Sequence, residues 1–455
     1  MANLALDDIE ARDGPVIIID PKGGDQGLVN LVVKHIPRTL VSDTFYISLR
    51  SPAPIDLMEY RDPFEKTLIK GDIVDIIQRF VSFGSWGSAM QGTLNNLIPT
   101  LLDAPDATFL DIGNFLEDVD RRDEILAQVS SERQKYWRKH PPKDDNAPLT
   151  NRMSNFKDPP LSGIVDCRRG TGISISSIIE NNQILLVDTS PLLSQEGLMI
   201  GALVMSRIQQ AIFRREPGKQ HSMCHVYADE FHHFKTSRFG EMITGARSFN
   251  LSLCLANQNP GQIKEIWDDV KGISSYVLFR MDGEHASMLK SKIKDPPYHP
   301  PAKPNKRDIR EAIRYMKERQ DYWDNSDDEG AGRESQAAWN RIAELESELE
   351  EAEKPDPPKP PSYLEQIPSL PVGHAIFIDH TGKTVRIKTP LPPEPPPYNY
   401  MKEIIEHTQA ASAQTSPIRT GDKPPSNSGT YRHNEGDDDQ DPEPSGPPDI
   451  PPHQN

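Results

Sequence analysis

Short apolar runs that stop abruptly at polar residues recur through the first two thirds of the chain. They are Val16 to Asp20, Phe45 to Leu49, Ile184 to Asp188, Met223 to Ala228, Leu251 to Ala256 and Ser275 to Phe279. A continuous apolar run of this length, bounded by turn residues, predicts a strand buried on both faces, as in a parallel sheet covered by helices. Between the runs the apolar spacing becomes helical. Gln195 to Arg214 carries a stripe of Gly201, Ala202, Leu203, Met205, Ile208 and Ile212, and Phe239 to Phe249 is a shorter helix. Met1 to Ala11 has Met1, Leu4, Ala5 and Ile9 at helical spacing but no capping residue, so it reads as a helix entered in its middle. Gly71 to Met90, Gln91 to Leu102 and the charged stretch Asp106 to Lys139 predict a helical insertion.

After Pro296 the pattern weakens. Arg307 to Trp323 and Glu334 to Glu353 predict charged helices with only a short stripe of Ile342, Leu345 and Leu349. Ala375 to Ile378 and Thr384 to Ile387 predict two strands around a turn, so Gly382-Lys383-Thr384 reads as a hairpin turn and not as a phosphate loop. The expected organisation is a first core part over 1–60, a mostly helical insertion over 61–160, and a second core part over 161–295. A linker with charged helices over 296–362, a hairpin over 363–390 and a disordered, Pro-rich acidic tail over 391–455 complete it.

Composition changes this picture in three ways. With 43 prolines in 455 residues and a mean hydropathy of -0.62, a substantial part of the chain is not packed core; a body of roughly 280 residues is expected. The net charge of -17 argues against non-specific nucleic-acid binding by the average surface while leaving a local channel open. Cys167, Cys224 and Cys254 are scattered, which predicts buried thiols and no disulfide or metal cluster. No apolar run approaches the length of a membrane span and no signal-peptide pattern opens the sequence. A cytoplasmic location is expected, with any place at the inner face of a membrane supplied by partners.

The candidate chemistry lies between Ser222 and Ile263. The run Met223 to Ala228 delivers Asp229 and Glu230 at the C-terminal end of its strand, the edge on which open α/β sheets hold ligands. This is the pattern of a Walker B strand, in which the first carboxylate holds Mg²⁺ and the second polarises the water that attacks a γ-phosphate. The run Leu251 to Ala256 ends in Asn257 and Gln258, whose amide is suited to the γ-phosphate or its attacking water, and Arg247 lies in the helix between the two runs. Taken alone, an apolar run followed by Asp-Glu is equally a strand end solvated at a loop. His232 and His233 lack metal-ligand spacing and read as a loop or helix start.

This ordered set, a strand ending in Asp-Glu, a helix carrying an arginine and a strand ending in Gln, resembles the VirD4/TraG coupling proteins of conjugation and type IV secretion and the HerA-type helicases. The resemblance spans about Met1 to Ile293, more loosely Leu370 to Thr389, and includes Val16 to Gly24 (VIIIDPKGG), the phrase Phe83-Gly84-Ser85-Trp86-Gly87 and the "FR" of Phe279-Arg280. It implies an α/β fold, a RecA-like P-loop NTPase core of three layers with an all-α insertion, and a DNA-translocating ATPase that uses ATP and Mg²⁺ in a homo-hexameric ring. By residue it implies Asp229 on Mg²⁺, Glu230 as catalytic base, Gln258 as γ-phosphate sensor and Arg247 offered to a neighbouring subunit's nucleotide. Asp20, Lys22 and Arg280 are implied beside the nucleotide. The acidic tail is implied to contact a relaxase or secretion apparatus; its composition is satisfied equally by a solubilising tail.

The sequence departs from that pattern at one motif, since GxxxxGK[ST] occurs nowhere in it. Three readings follow: an active motor, a non-hydrolysing scaffold that binds DNA-transfer or secretion partners, and a chain whose natural start lies upstream. In such sheets the strand leading into the phosphate loop is expected to lie centrally, next to the Walker B strand. On that expectation the 455 residues alone would carry unpaired strands in mid-core, be poorly soluble and hydrolyse no ATP.

Overall fold

The computed structural model describes residues 1–414 apart from 82–86, 144–145, 191–194, 217–218, 235–237, 271, 274, 299 and 301. Most of the Phe83 to Gly87 phrase, and the tail beyond 414, therefore lie outside the described residues. Strands β1 (Val16–Asp20), β2 (Thr44–Ser48), β3 (Ile184–Asp188), β4 (Cys224–Ala228) and β5 (Leu251–Leu255) form one five-stranded sheet in the order β2-β3-β1-β4-β5, every pair parallel. The first four strands are buried at every position, which is why their sequences run apolar without alternation. Helices α1 (Ala2–Ala11) and α2 (Leu28–Val33) contribute to a core on one side of the sheet with Val16, Ile18, Leu186 and Tyr227. On the other side, α3 (Pro63–Val81), α4 (Ser88–Asp103) and α5 (Gln195–Phe213) share one continuous core with Ile17, Ile19, Leu185 and Val226. The α/β, three-layer arrangement expected from the apolar runs is the one observed.

The expected gap in the sheet is corrected. β1 and β4 pair directly, from Val16 opposite His225 to Ile19 opposite Ala228, so no absent strand separates them. β1, buried at every position, is itself the strand that fills the place beside β4. The reason given for poor solubility, orphaned backbone in mid-core, therefore does not apply. The sheet instead ends at β5, where Ser252 is exposed and Leu253, Cys254 and Leu255 are only half-buried.

The opposite edge is closed by a segment expected to be disordered. Helix α8 (Met401–Gln414) packs on β2: the Tyr46 N–H donates to the Thr408 hydroxyl at 3.0 Å, Ile404 is fully buried, and His407 meets the Phe45 ring at 5.2 Å. The hydroxyl serves a strand-edge amide that a further strand would otherwise have to satisfy.

The run Ser275 to Phe279, expected as one more strand of the second core part, supplies β6 (Tyr276–Leu278) of a second, antiparallel sheet with β7 (His374–Ile378) and β8 (Thr384–Lys388). Gly382 lies in the β7–β8 turn at φ 80°, a conformation that favours glycine. Helices α6 (Lys306–Asp324) and α7 (Ala331–Glu353) form an antiparallel pair around Ile309, Ile313 and Leu345, with Arg310–Glu353 and Lys317–Glu346 ion pairs along it. The three cysteines are free thiols, and among the described residues no helix is long and apolar enough to cross a membrane.

Where the helical insertion meets α5, the structure buries charge. Asp56 accepts hydrogen bonds from the Gly170 and Met58 amides at 2.6 and 3.1 Å, and burial pushes its carboxyl up to about 7. Arg207 is buried nearby on α5, and burial lowers its guanidinium to about 10. A carboxyl whose native pKa exceeds its unfolded value binds more protons folded than unfolded between about pH 4 and pH 7. Its contribution to stability is thus complete below pH 4 and lost as pH rises through 7. Asp56→Asn removes that titration, so the stability of wild type relative to this variant should fall by up to about 4 kcal/mol from pH 4 to pH 8, measured by urea unfolding at each pH. At the β2 edge, Ile404→Ala should cost about 2–4 kcal/mol in the same assay.

Candidate functional site

Because β1 and β4 are parallel neighbours in register, the residues that follow them emerge on one edge of the sheet. The Asp229 N–H donates to the Ile19 carbonyl at 3.1 Å, carrying the ladder one residue beyond β4. In an extended chain Asp229 and Glu230 would point to opposite faces. Glu230 instead adopts φ 46°, ψ 44°, the left-handed region, which costs a residue other than glycine about 1–2 kcal/mol. That turn lets two successive carboxylates converge on one cation.

The cation is Lys22. Its Nζ lies 2.7 Å from Glu230 Oε1 and 3.2 Å from Asp229 Oδ2. Its backbone is fixed from below by Asp20, fully buried, whose Oδ1 accepts from the Lys22 amide at 2.9 Å and whose Oδ2 accepts from Val29 at the start of α2 at 3.2 Å. Gly23 follows at φ 55°, so close to Ser190 that a Cβ would stand 1.5 Å from the hydroxyl oxygen. A side chain at that position would push the loop off the sheet edge.

Gln258, two residues past the Ala256 amide that pairs with Ala228, donates from Nε2 to Glu230 Oε1 at 3.0 Å. The Gln258 amide is held by Gln262 Oε1 at 3.0 Å, part of a capping box in which Asn259 and Gln262 close the start of the 3₁₀ turn Pro260–Ile266. His232 Nδ1 faces the second Glu230 oxygen at 3.5 Å, and Gln262 Nε2 reaches His232 Nε2 at 3.4 Å. Glu230 is thereby surrounded by Lys22, Gln258 and His232 while only 4% exposed.

The two carboxyls are driven apart in acidity. Burial raises Asp229 above the usual carboxylate range, and Lys22 opposes this without cancelling it. Burial acts on Glu230 in the same direction, but the Lys22 ammonium, the Gln258 hydrogen bond and the His232 charge together bring it below its ordinary value. For Lys22, burial favours the neutral amine, and the contacts with Glu230 and Asp229 outweigh it, so the pKa rises. The same contacts thus favour the ionised form of Glu230. Among the described residues its Oε2 is buried with no hydrogen bond, His232 Nδ1 standing 3.5 Å away, and both carboxylates already converge on an ammonium. Such a cluster fits a hard divalent cation, with Asp229 as its oxygen donor and Glu230 beside it.

Of the residues singled out by sequence, Asp229, Glu230, Gln258 and Lys22 come together. Asp20 is used one layer below, on the amides of its own loop. Arg247 is exposed in the 3₁₀ turn Ala246–Phe249 that precedes β5, so it stands at the N-terminal edge of the sheet, a strand length of roughly 16 Å from the carboxylates. Arg280 follows β6 of the antiparallel sheet and is exposed. His232 and Gln262 were not assigned to the site by sequence. The Asn-Pro-Gly-Gln phrase at 259–262 was the available signal for Gln262, since Asn at the cap, Pro at the first position and Gln at the third announce a capped helical turn.

The sequence matches no protein-family model, and no curated protein matches it. Solved structures similar to the chain include the bacterial conjugative coupling protein TrwBdeltaN70 in an unbound monoclinic form, at 16% identity and a TM-score of 0.39, covering 65% of this chain and 70% of that one. The plasmid coupling protein TrwB in complex with ADP and Mg²⁺ is similar at 14% identity and a TM-score of 0.41, covering 64% and 69%. The same protein with the non-hydrolysable ATP analogue ADPNP is similar at 16% identity and a TM-score of 0.37, covering 63% and 69%.

The ammonium–carboxylate cluster should show up as energetic coupling. In a double-mutant cycle of Lys22→Met and Glu230→Gln, followed by urea unfolding, the coupling energy should be about 1 kcal/mol. Half of the lysine side chain is exposed, so solvent screening holds the value well below that of a fully buried pair.

Proposed function

We propose that the chain carries the Walker B and sensor half of a nucleotide-hydrolysing site, in a DNA-translocating ATPase of the coupling-protein or HerA-like class. The observation that carries this reading is the convergence of Asp229, Glu230 and Gln258 on the C-terminal edge of a parallel sheet, achieved at the cost of a left-handed glutamate. Polar side chains brought together where open α/β sheets hold ligands, with strained backbone between them, mark a working site more than a solvated strand end.

In this reading Asp229 would hold Mg²⁺, which would supply positive charge to offset the charge that develops on the phosphate oxygens. Glu230, kept ionised, takes a proton from the attacking water as its oxygen bonds to the γ-phosphorus and the bond to the ADP oxygen breaks. Gln258 fixes the orientation of Glu230 and lies beside the same phosphate. Arg247, on the far edge of its own sheet, is suited to a neighbouring subunit's nucleotide in a ring of six, where an arginine in trans spreads transition-state charge. DNA is the translocated substrate, and a relaxase or secretion apparatus is the partner of the acidic tail. The missing GxxxxGK[ST] favours a second reading, a scaffold that binds such partners without turnover.

ATP turnover with Mg²⁺ and DNA decides between them, measured on the chain and on a version with a phosphate-binding strand, loop and helix joined ahead of Met1. The joined protein should hydrolyse ATP, and Glu230→Gln should slow it by about 10²- to 10⁴-fold. Turnover indifferent to Glu230→Gln would sink the catalytic assignment, and none from either protein would leave the scaffold.

A further inference from the structure

The Lys22 ammonium stands where a divalent cation would have to bind. It lies 3.2 Å from Oδ2 of Asp229, the carboxylate that the metal reading assigns as donor, and 2.7 Å from Oε1 of Glu230 beside it. A Mg²⁺ ion needs carboxylate oxygens at about 2.0–2.1 Å and cannot share that space with a second positive charge. The lysine backbone is held by Asp20, which accepts from its amide, and Gly23 beside it packs against Ser190 with no room for a side chain. The lysine stem can move, since half of the side chain is exposed on an unbranched four-carbon chain.

We propose that Lys22 is a resident counter-cation of this site, holding Asp229 and Glu230 together until a divalent cation displaces it. Resting on the Walker B reading above, this gives the site two states. In one the ammonium is bound and the carboxylates are unavailable to metal. In the other the metal is bound and the ammonium is released toward solvent on the same sheet edge, positioned for an anionic ligand such as a phosphate. Lys22 is then a positioning residue whose departure couples metal entry to anion binding. It also explains the elaborate support beneath it: a fully buried aspartate and two left-handed glycines, Gly23 and Gly24, shape a loop that presents one lysine.

Mn²⁺ binding to the full chain without nucleotide, followed by the electron paramagnetic resonance of the free ion, tests this apart from any turnover. Lys22→Met should bind Mn²⁺ tighter than wild type by on the order of tenfold or more, and Lys22→Arg should not. Lys22→Gln, polar and uncharged, should follow Lys22→Met and guards against misfolding of the latter. Lys34→Met removes one charge outside the cluster and should change nothing. The tightening should persist at about 0.5 M salt, where a long-range field effect would be screened. Unchanged Mn²⁺ affinity in Lys22→Met, with binding still abolished by Asp229→Asn, overturns the counter-cation role and leaves the metal reading standing. Binding absent or indifferent to Asp229→Asn in every variant overturns both.

Discussion

The parallel pairing of β1 with β4 is the constraint on which the site depends. Their register, Ile19 opposite Ala228, fixes where each chain leaves the sheet, and it brings a loop carrying one ammonium against a turn carrying two carboxylates. A slip of one residue would turn every side chain of either strand to the other face. That slip is forbidden by burial on both sides: Ile17 and Ile19 belong to the core beneath the helical insertion, and Ile18 to the core beneath α1 and α2. Packing far from the chemistry thus sets its geometry. Further along, β4 is tied to α1 by His225, which lies between Asp8 at 2.7 Å and Asp13 at 3.0 Å, and by the Tyr227 hydroxyl on Asp8.

Much of this was legible in the sequence, for an identifiable reason. Strands buried on both faces are mostly apolar without alternation, so β1, β3 and β4 stand out against polar ends, and Asp229, Glu230 and Gln258 could be placed on one edge without coordinates. The backbone turn at Glu230 could not, because a left-handed glutamate carries no compositional mark. The identity of Lys22's partners also depends on strand order, which apolar runs do not encode. Read as a nucleotide ligand, Lys22 is found on the carboxylates; read the same way, Asp20 is found organising the loop that holds Lys22.

The errors elsewhere share a cause. β6 has the same apolar character as a main-sheet strand, and a three-residue strand of that kind fits either sheet. Residues 401–414 sit in a stretch dense with proline and acid, yet Ile404 and Thr408 fall four apart, enough to seat one helix on the β2 edge. Averages over a window hide such a pair. The expected mid-core gap came from assuming which strand neighbours β4, and only the hydrogen-bond register corrects it.

The two ends of the sheet are now unlike. β2 is covered, one of its outward amides taken by a threonine hydroxyl of α8. β5 shows half-buried leucines and an exposed Ser252, a pattern that leaves strand backbone able to pair. Gln258 follows from β5, and Glu230 takes its hydrogen bond, so anything that pairs along β5 lies one strand spacing, about 4.8 Å, from the line that leads into the site. β5 is thus the edge strand from which the chain runs into the site, while the opposite edge strand, β2, carries α8.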